Sequence, residues 1–199
     1  MADAVPLAEL SLAEGLERFA ARTPAPGGGS AAATGCALAA ALLEMVSRFA
    51  PGDAGTATVT RAAQLRGRAL ELAEEDQRAY GRVFEAAQTA AGPEREARVS
   101  AARADAAQPP LELAGLAAEL AGLAARAVAR GNPNLAGDAV TATLLGEAAC
   151  RAADALVRIN LAGAGADPSR ERSAQHVAVA AGARERALTA VGGTARGLS

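Results

Sequence analysis

The chain has no tryptophan, one tyrosine, three phenylalanines, one histidine and no lysine in 199 residues. Each shortage removes something. Aromatic and β-branched residues are the strand formers, and their scarcity argues against a sheet. Nucleic-acid bases would find almost nothing to stack on. The twenty basic residues are all arginine, scattered along the chain and offset by twenty-two acids to a formal net charge of −2, so no basic face is indicated. With His176 as the sole histidine and no Cys/His cluster, a histidine metal site is not expected. Cys36 and Cys150 both stand in alanine-rich surroundings and read as small buried thiols, not a disulfide pair.

What the chain does have is alanine. Hydrophobic residues make up 51% of it, most of them alanine, the best helix former. The length allows one substantial domain with a real core, so the expectation is all-α: a single-domain antiparallel bundle of about seven helices over residues 1–199. Alanine faces are thin, and such helices have to approach closely to bury enough area.

The amino-terminal stretch MADAVPLAELSLAEGLERFAA carries acids and no basic region, unlike a signal peptide. The longest uncharged run, Thr23 to Leu43, is rich in glycine, proline and alanine and ends at Glu44. It falls short of the ~20 strongly apolar residues of a membrane span. A soluble cytoplasmic protein with no membrane or nucleic-acid partner is expected.

Glycine and proline place breaks at Pro24–Gly29, Pro51–Gly55, Gly92–Pro93, Pro109–Pro110, Gly131–Pro133 and Gly163–Pro168. The predicted helices run over about 7–21, 29–49, 57–91, 94–107, 110–130, 135–161 and 168–191. In the fifth, Leu113, Leu116, Leu120, Leu123 and Ala127 form a heptad-like seam. The second is apolar nearly all round, with Gly35, Leu38, Leu42, Met45 and Phe49 on one stripe and Cys36, Ala39, Leu43 and Val46 beside it. Such a helix belongs in the middle of a bundle or at a subunit interface.

Two helices put an acid on a stripe that should be buried. The third reads Leu65, Ala69, Leu72, Asp76, Ala79 or Tyr80, Val83; the sixth reads Leu135, Asp138, Ala142, Leu145, Ala149, Ala152, Leu156, Ile159. A carboxylate in an apolar interior has a raised pKa or a partner, which makes Asp76 and Asp138 candidates for a polar site. Asp138, in the first turn of its helix, also fits a plain role at the helix dipole. Asp76 is mid-helix, but Glu74 and Glu75 beside it leave a solvent-facing reading open.

"PAPGGGS" lies just before the second helix. Gly27, Gly28, Gly29 and Ser30 there present bare amides of the kind that bind anions; a Ser30 cap or close glycine packing would explain the same residues. "ARGNPNLAGDAV" gathers Arg130, Asn132, Asn134 and Asp138 at a helix-to-helix turn, where the asparagines also suit turn formation. Asn160 ends the sixth helix in "RINLAG", and His176 borders an apolar face and reads as structural or exposed.

These segments, in this order, resemble the cyclodeaminase/cyclohydrolase family: the C-terminal domain of formiminotransferase-cyclodeaminase and free-standing methenyltetrahydrofolate cyclohydrolases. The resemblance is carried by "TPAPGGGSAAATGCALAAALLEMV", "EEDQRAYGRVFEAA", "PLELAGLAAELAGLAARAV", "GNPNLAGDAVTATLLGEAA" and "VRINL", covering roughly residues 8–162. Cys36 stands where an alanine is usual. The loop after Met45 lacks the family's lysine-containing segment, so an anion contact there would fall to Arg48 or Arg61. The resemblance implies a homodimer acting on one-carbon-substituted tetrahydrofolate with no further cofactor, by cyclodeamination of the 5-formimidoyl compound or hydrolysis of the 5,10-methenyl compound. A non-catalytic folate-binding or structural protein is the reading from another class. On the enzyme reading, Asp76 and Asp138 would supply base and acid and Gly27–Ser30 would cradle the folate. Arg130 would pair with its glutamate tail, and Asn134 and Asn160 would orient the pterin or a water.

Overall fold

The structure is a computed structural model and describes residues 5–50 and 53–195. Seven α-helices carry most of it: α1 (Leu12–Ala20), α2 (Gly28–Arg48), α3 (Asp53–Ala87), α4 (Pro93–Ala106), α5 (Gln108–Arg130), α6 (Ala136–Asn160) and α7 (Pro168–Ala195). Short 3-10 turns lie at Leu7–Glu9 and Pro133–Leu135, and no strand occurs among the described residues. The all-α bundle expected from composition is the fold.

Boundaries move where side chains override the pattern. The first predicted helix is split because Ser11 caps α1: its hydroxyl accepts from the Glu14 N–H at 3.3 Å and its own N–H donates to the Glu14 carboxylate at 2.8 Å. α3 begins at Asp53, earlier than predicted; Pro51 lies outside the described residues. Gly55 sits inside α3 as a packing device, since a Cβ there would fall 2.9 Å from the carbonyl oxygens of both Ser47 and Ala50. Pro109 and Pro110 occupy the first turn of α5, where a missing N–H leaves no helical bond unmade.

Four packed pairs run antiparallel, and α5 and α7, both antiparallel to α6, pack against each other in parallel. Ser30 meets Ala73 and Asp76 while Glu44 meets Arg66, which sets α2 against α3. Arg61–Glu119 and Arg68–Glu112 set α3 against α5. The Cys150 thiol donates to the Ala114 carbonyl at 3.4 Å between α6 and α5, and the Ser173 hydroxyl donates to Asp154 at 2.6 Å between α7 and α6. Leu43, Leu65, Leu72, Leu113 and Leu120 are fully buried among alanines. Cys36 and Cys150 are buried free thiols as expected, and burial pushes both up to about 12.

The stripe read for α6 packs only in part: its Ala142 and Ala149 are buried, and the rest of the buried set lies to one side of it. The bundle buries Ala139, Ala142, Thr143, Gly146, Ala149, Cys150, Ala153 and Val157, whereas Ala152 and Ile159 are exposed and Leu145, Leu156 and Asp138 half-buried. Small residues win because they admit α5: a Cβ on Gly146 would already stand 3.2 Å from Leu120 Cδ2 and 3.3 Å from the Ala117 carbonyl oxygen. Leu144 and Ile159 are left exposed on α6's outer side, while Leu145 packs against the core and Val157 is buried. α2 divides in the same way. Cys36, Ala39, Leu43 and Val46 are buried, while Leu38 and Phe49 on the other stripe are 57% and 61% exposed. Although α2 is long and apolar enough to cross a membrane, half of that apolar stretch is buried inside the bundle.

Candidate active site

Three consecutive acids on α3 take three different directions. Glu74 accepts the Leu7 N–H at 2.6 Å, and Glu75 pairs with Arg68 at 2.7 Å. Asp76 turns inward to the amino end of α2. There its Oδ2 accepts the Ser30 N–H at 3.0 Å and lies 3.3 Å from the Ser30 hydroxyl, which itself donates to the Ala73 carbonyl at 2.8 Å. Ser30 is fully buried, so this anchor is rigid. Burial pushes the Asp76 carboxyl above the ordinary aspartate value; the two Ser30 hydrogen bonds pull the other way and lose.

The glycines have distinct jobs. A Cβ on Gly29 would lie 2.0 Å from Asp76 Oδ1 and 2.3 Å from its Cγ, so only glycine leaves room for the carboxylate. A Cβ on Gly27 or Gly28 would meet nothing within 4 Å. These two border a cavity of about 270 Å³ that also takes in Asp76, Gln77, Tyr80 and Asn160, with Leu156 and Ile159 along one side. In the first turn of a helix the N–H groups lack intrahelical acceptors and carry the positive end of the dipole. Gly28 and Gly29 therefore offer amides beside a carboxylate whose proton is held unusually tightly. That combination can take a proton from a nucleophile, return it to a leaving group and steady a polarised oxygen or nitrogen between.

Of the residues singled out in the sequence, Gly27, Gly28, Gly29, Asp76 and Asn160 line this cavity, and Ser30 braces it. Asn160 donates to the Ala106 carbonyl at 2.8 Å, which ties the end of α6 to the end of α4. Arg130, Asn134 and Asp138 do not join them. They lie at the other end of the bundle, since Asp138 and Asn160 stand about 33 Å apart by the rise of α6. Arg130 is exposed and lines a separate cavity of about 220 Å³ with Ser47, Gly55 and Leu123. Asn134 is an exposed turn residue whose N–H donates to Asn132 Oδ1 at 3.0 Å. The chain by itself thus does not assemble Asp76 and Asp138 into one acid–base pair. Arg48 and Arg61 are engaged by Glu44 and Glu119.

Sequence reasoning passed over Gln77 and Tyr80 as site residues. Tyr80 had a readable signal: it is the only tyrosine and falls one helical turn after Asp76. His176 is half-buried beside Gly115, away from this cavity. Among the described residues no three His, Cys, Asp or Glu side chains are grouped to hold a metal ion.

A family model described as formiminotransferase-cyclodeaminase matches residues 11–178, which contain every element of this cavity. The chain belongs to the formiminotransferase-cyclodeaminase family. A crystal structure of formiminotetrahydrofolate cyclodeaminase from Thermotoga maritima superposes with a TM-score of 0.84 at 26% identity, covering 95% of this chain and 99% of that one. No curated protein matches the sequence. The family match begins at the Ser11 cap of α1 and ends inside α7, so the glycine turn, Asp76 and Asn160 all lie within it.

Proposed function

We propose that this protein is a cytoplasmic formimidoyltetrahydrofolate cyclodeaminase. The observation that carries the reading is Asp76, its proton affinity raised by burial, set against the open amides of Gly28 and Gly29 in a cavity of a size to take a pterin ring. The family and the similar structure supply the substrate class. Starting from the protonated formimidoyl group, N10 attacks the amidine carbon to give a tetrahedral carbon bridging N5 and N10. Asp76 accepts the N10 proton and passes it to the amino group, which leaves as ammonia, and 5,10-methenyltetrahydrofolate remains. The carbon keeps its oxidation state, so proton transfers suffice and no redox cofactor is called for. The same carboxylate would serve the alternative reaction, deprotonating a water that adds to the methenyl carbon and passing that proton to N5 as the C–N5 bond breaks, while the remaining hydroxyl proton is released to solvent and the carbonyl of 10-formyltetrahydrofolate forms. The activity for which the similar structure is named favours the deaminase. Purified protein should generate methenyltetrahydrofolate absorbance and ammonia from the formimidoyl compound. Consumption of methenyltetrahydrofolate without deamination would assign the cyclohydrolase, and folded protein that turns over neither would remove both.

A homodimer belongs to the same reading. On α2 the stripe Ala31, Gly35, Leu38, Leu42, Met45, Phe49 repeats in steps of four and three, is uncharged, and is nowhere fully covered. On the outer side of adjoining α6, Thr141, Leu144, Ala148, Ala152, Ala155 and Ile159 are exposed. Two helices of this length side by side offer roughly 600–700 Å², close to the ~800 Å² per partner of a standard interface. The combined variant Leu38→Glu/Leu144→Glu should sediment as a monomer at concentrations where the parent is a dimer; an unchanged mass would rule this face out. Asp138 is half-buried at the edge of this face, which gives a second measurement. Asp138→Asn should leave kcat within about twofold if each site is confined to one chain, and a large loss would mean that the site draws on a partner's α6.

A further inference from the structure

The cavity of about 220 Å³ that Arg130 lines sits where the carboxyl ends of α2 and α5 meet the first turn of α3. Ser47 faces it, about 26 Å along α2 from Ser30, so it is separate from the cavity at Asp76. Ser47 is on the inner side of α2, away from the exposed Leu38 and Phe49, so the cavity is also separate from the outer face of that helix. Ser47 is only 4% exposed, yet its hydroxyl has no hydrogen-bond partner among the described residues. The other buried hydroxyls are all engaged: Ser30 with the Ala73 carbonyl, Thr143 with the Ala139 carbonyl, Ser169 with Arg172 and Ser173 with Asp154. A buried hydroxyl is normally paired. One left open on a cavity wall calls for a partner that enters the cavity.

The charges around that hydroxyl are of one sign. Arg126 and Arg130, one turn apart near the end of α5, both line the cavity, and no acid does. Neither arginine forms an ion pair among the described residues. Glu119, the acid that feels the charge of Arg126, is held through both oxygens by Arg61 at 2.7 Å. Asp53 in the first turn of α3 is exposed and outside the wall, whereas Gly55 of the same turn brings the positive end of that helix to it. The carbonyls that end α2 and α5 here are already taken, Ser47 O by the Ala50 N–H at 3.1 Å and Ala127 O by the Gly131 N–H at 2.8 Å. Complementing the α5 dipole would account for Arg130 by itself, but not for the open hydroxyl beside it. Guanidinium groups bind oxyanions through paired hydrogen bonds, and Val46, Leu123 and Ala127 give the remaining wall an apolar lining.

We infer that this cavity is a second ligand site, which binds a small oxyanion between Arg126 and Arg130 with the Ser47 hydroxyl donating to it. The inference does not depend on the folate reading. The probes are sodium butyrate and sodium phosphate, titrated calorimetrically into the full chain at fixed ionic strength. The parent should bind at least one of them saturably, at one site per chain. Tighter butyrate identifies a carboxylate whose aliphatic body meets the apolar wall; tighter phosphate identifies a bare oxyanion. Arg126→Gln/Arg130→Gln should weaken the bound anion by about tenfold or more. Ser47→Ala should weaken it by about three- to tenfold without lowering the melting temperature of the anion-free protein, because no bond is lost there. Arg48→Gln removes a charge at the same end of the bundle that Glu44 already holds, and should bind as the parent does. Absence of saturable binding by either anion overturns the inference. So does binding that the double arginine variant retains, or that Arg48→Gln loses equally, which would reduce the effect to net charge. Displacement of the anion by 5-formyltetrahydrofolate would overturn the separateness of the site.

Discussion

Asp76→Asn is expected to lower kcat/KM by about 10²- to 10⁴-fold, the usual worth of a positioned acid–base group, while the melting temperature at pH 7 stays level or rises. The two effects share one cause. Burial raises the Asp76 carboxyl above its ordinary value, so the folded protein holds this proton more tightly than the unfolded chain does. The contribution of Asp76 to stability is therefore complete at low pH, below the unfolded value, and is lost as pH climbs through the higher folded value. Above that folded value the ionised side chain is a cost to the fold, offset only in part by the Ser30 N–H and hydroxyl at 3.0 and 3.3 Å. An amide oxygen can accept the same bonds without the charge. Activity has the opposite sense, since a proton acceptor has to be ionised. In the parent, kcat/KM should fall on acidification with a midpoint above the ordinary aspartate range, and residual activity in the variant should lose that limb. Calorimetry beside a pH–rate profile checks both. Full activity in a folded Asp76→Asn protein would end the proton transfer through this carboxylate, and a large drop in melting temperature would make Asp76 a structural group instead.

Gly29→Ala should damage the site almost as severely, by about 10²-fold or more in kcat/KM, through one methyl group. That methyl would sit 2.0 Å from Asp76 Oδ1, 2.3 Å from Cγ and 2.5 Å from Oδ2, so the carboxylate has to swing away and forfeit its bonds to Ser30. In an open helical position the same change would gain about 0.5–1 kcal/mol from helix propensity; at Gly29 the displaced carboxylate opposes that gain. Gly28→Ala is the matched control, because its Cβ meets nothing within 4 Å. It should leave kcat and stability near those of the parent and act on KM where the ligand approaches that amide. The two damaging changes act on one contact, so the double variant Gly29→Ala/Asp76→Asn should be no worse than the more severe single one. Additive losses, or an active Gly29→Ala protein, would show that glycine is not there to seat the carboxylate.

Composition and local pattern carried far in this chain. Alanine content with few strand formers specified helices, and the glycine–proline breaks placed their ends to within a few residues except where a side chain intervened, as Ser11 does at α1 and the close approach at Gly55 does at α3. Asp76 was legible because a mid-helix acid among Leu65, Ala69 and Leu72 has no dipole or cap to explain it, and Gly27–Ser30 because three glycines open a helix. Asp138 misled for a related reason. A stripe chosen by its large residues runs along the edge of the buried side of α6 and shares only Ala142 and Ala149 with it, while the bundle centres on Gly146, Cys150, Ala153 and Val157. In an alanine bundle it is the small residues that mark the core, because closeness of approach, not bulk, decides how much area is buried.

The sequence by itself therefore determined the class of fold, the order of its helices and the chemical character of each candidate group, because these follow from propensities and spacings within a turn or two of the chain. Only the tertiary structure decided which groups meet. It gave Glu74, Glu75 and Asp76 three separate partners, set Gly29 against the Asp76 carboxylate, joined Asn160 to Ala106, and sent Arg130, Asn134 and Asp138 to the far end. Which residues meet depends on helix direction and rotation about the axis. Both are fixed by contacts between positions dozens of residues apart, which no local periodicity records.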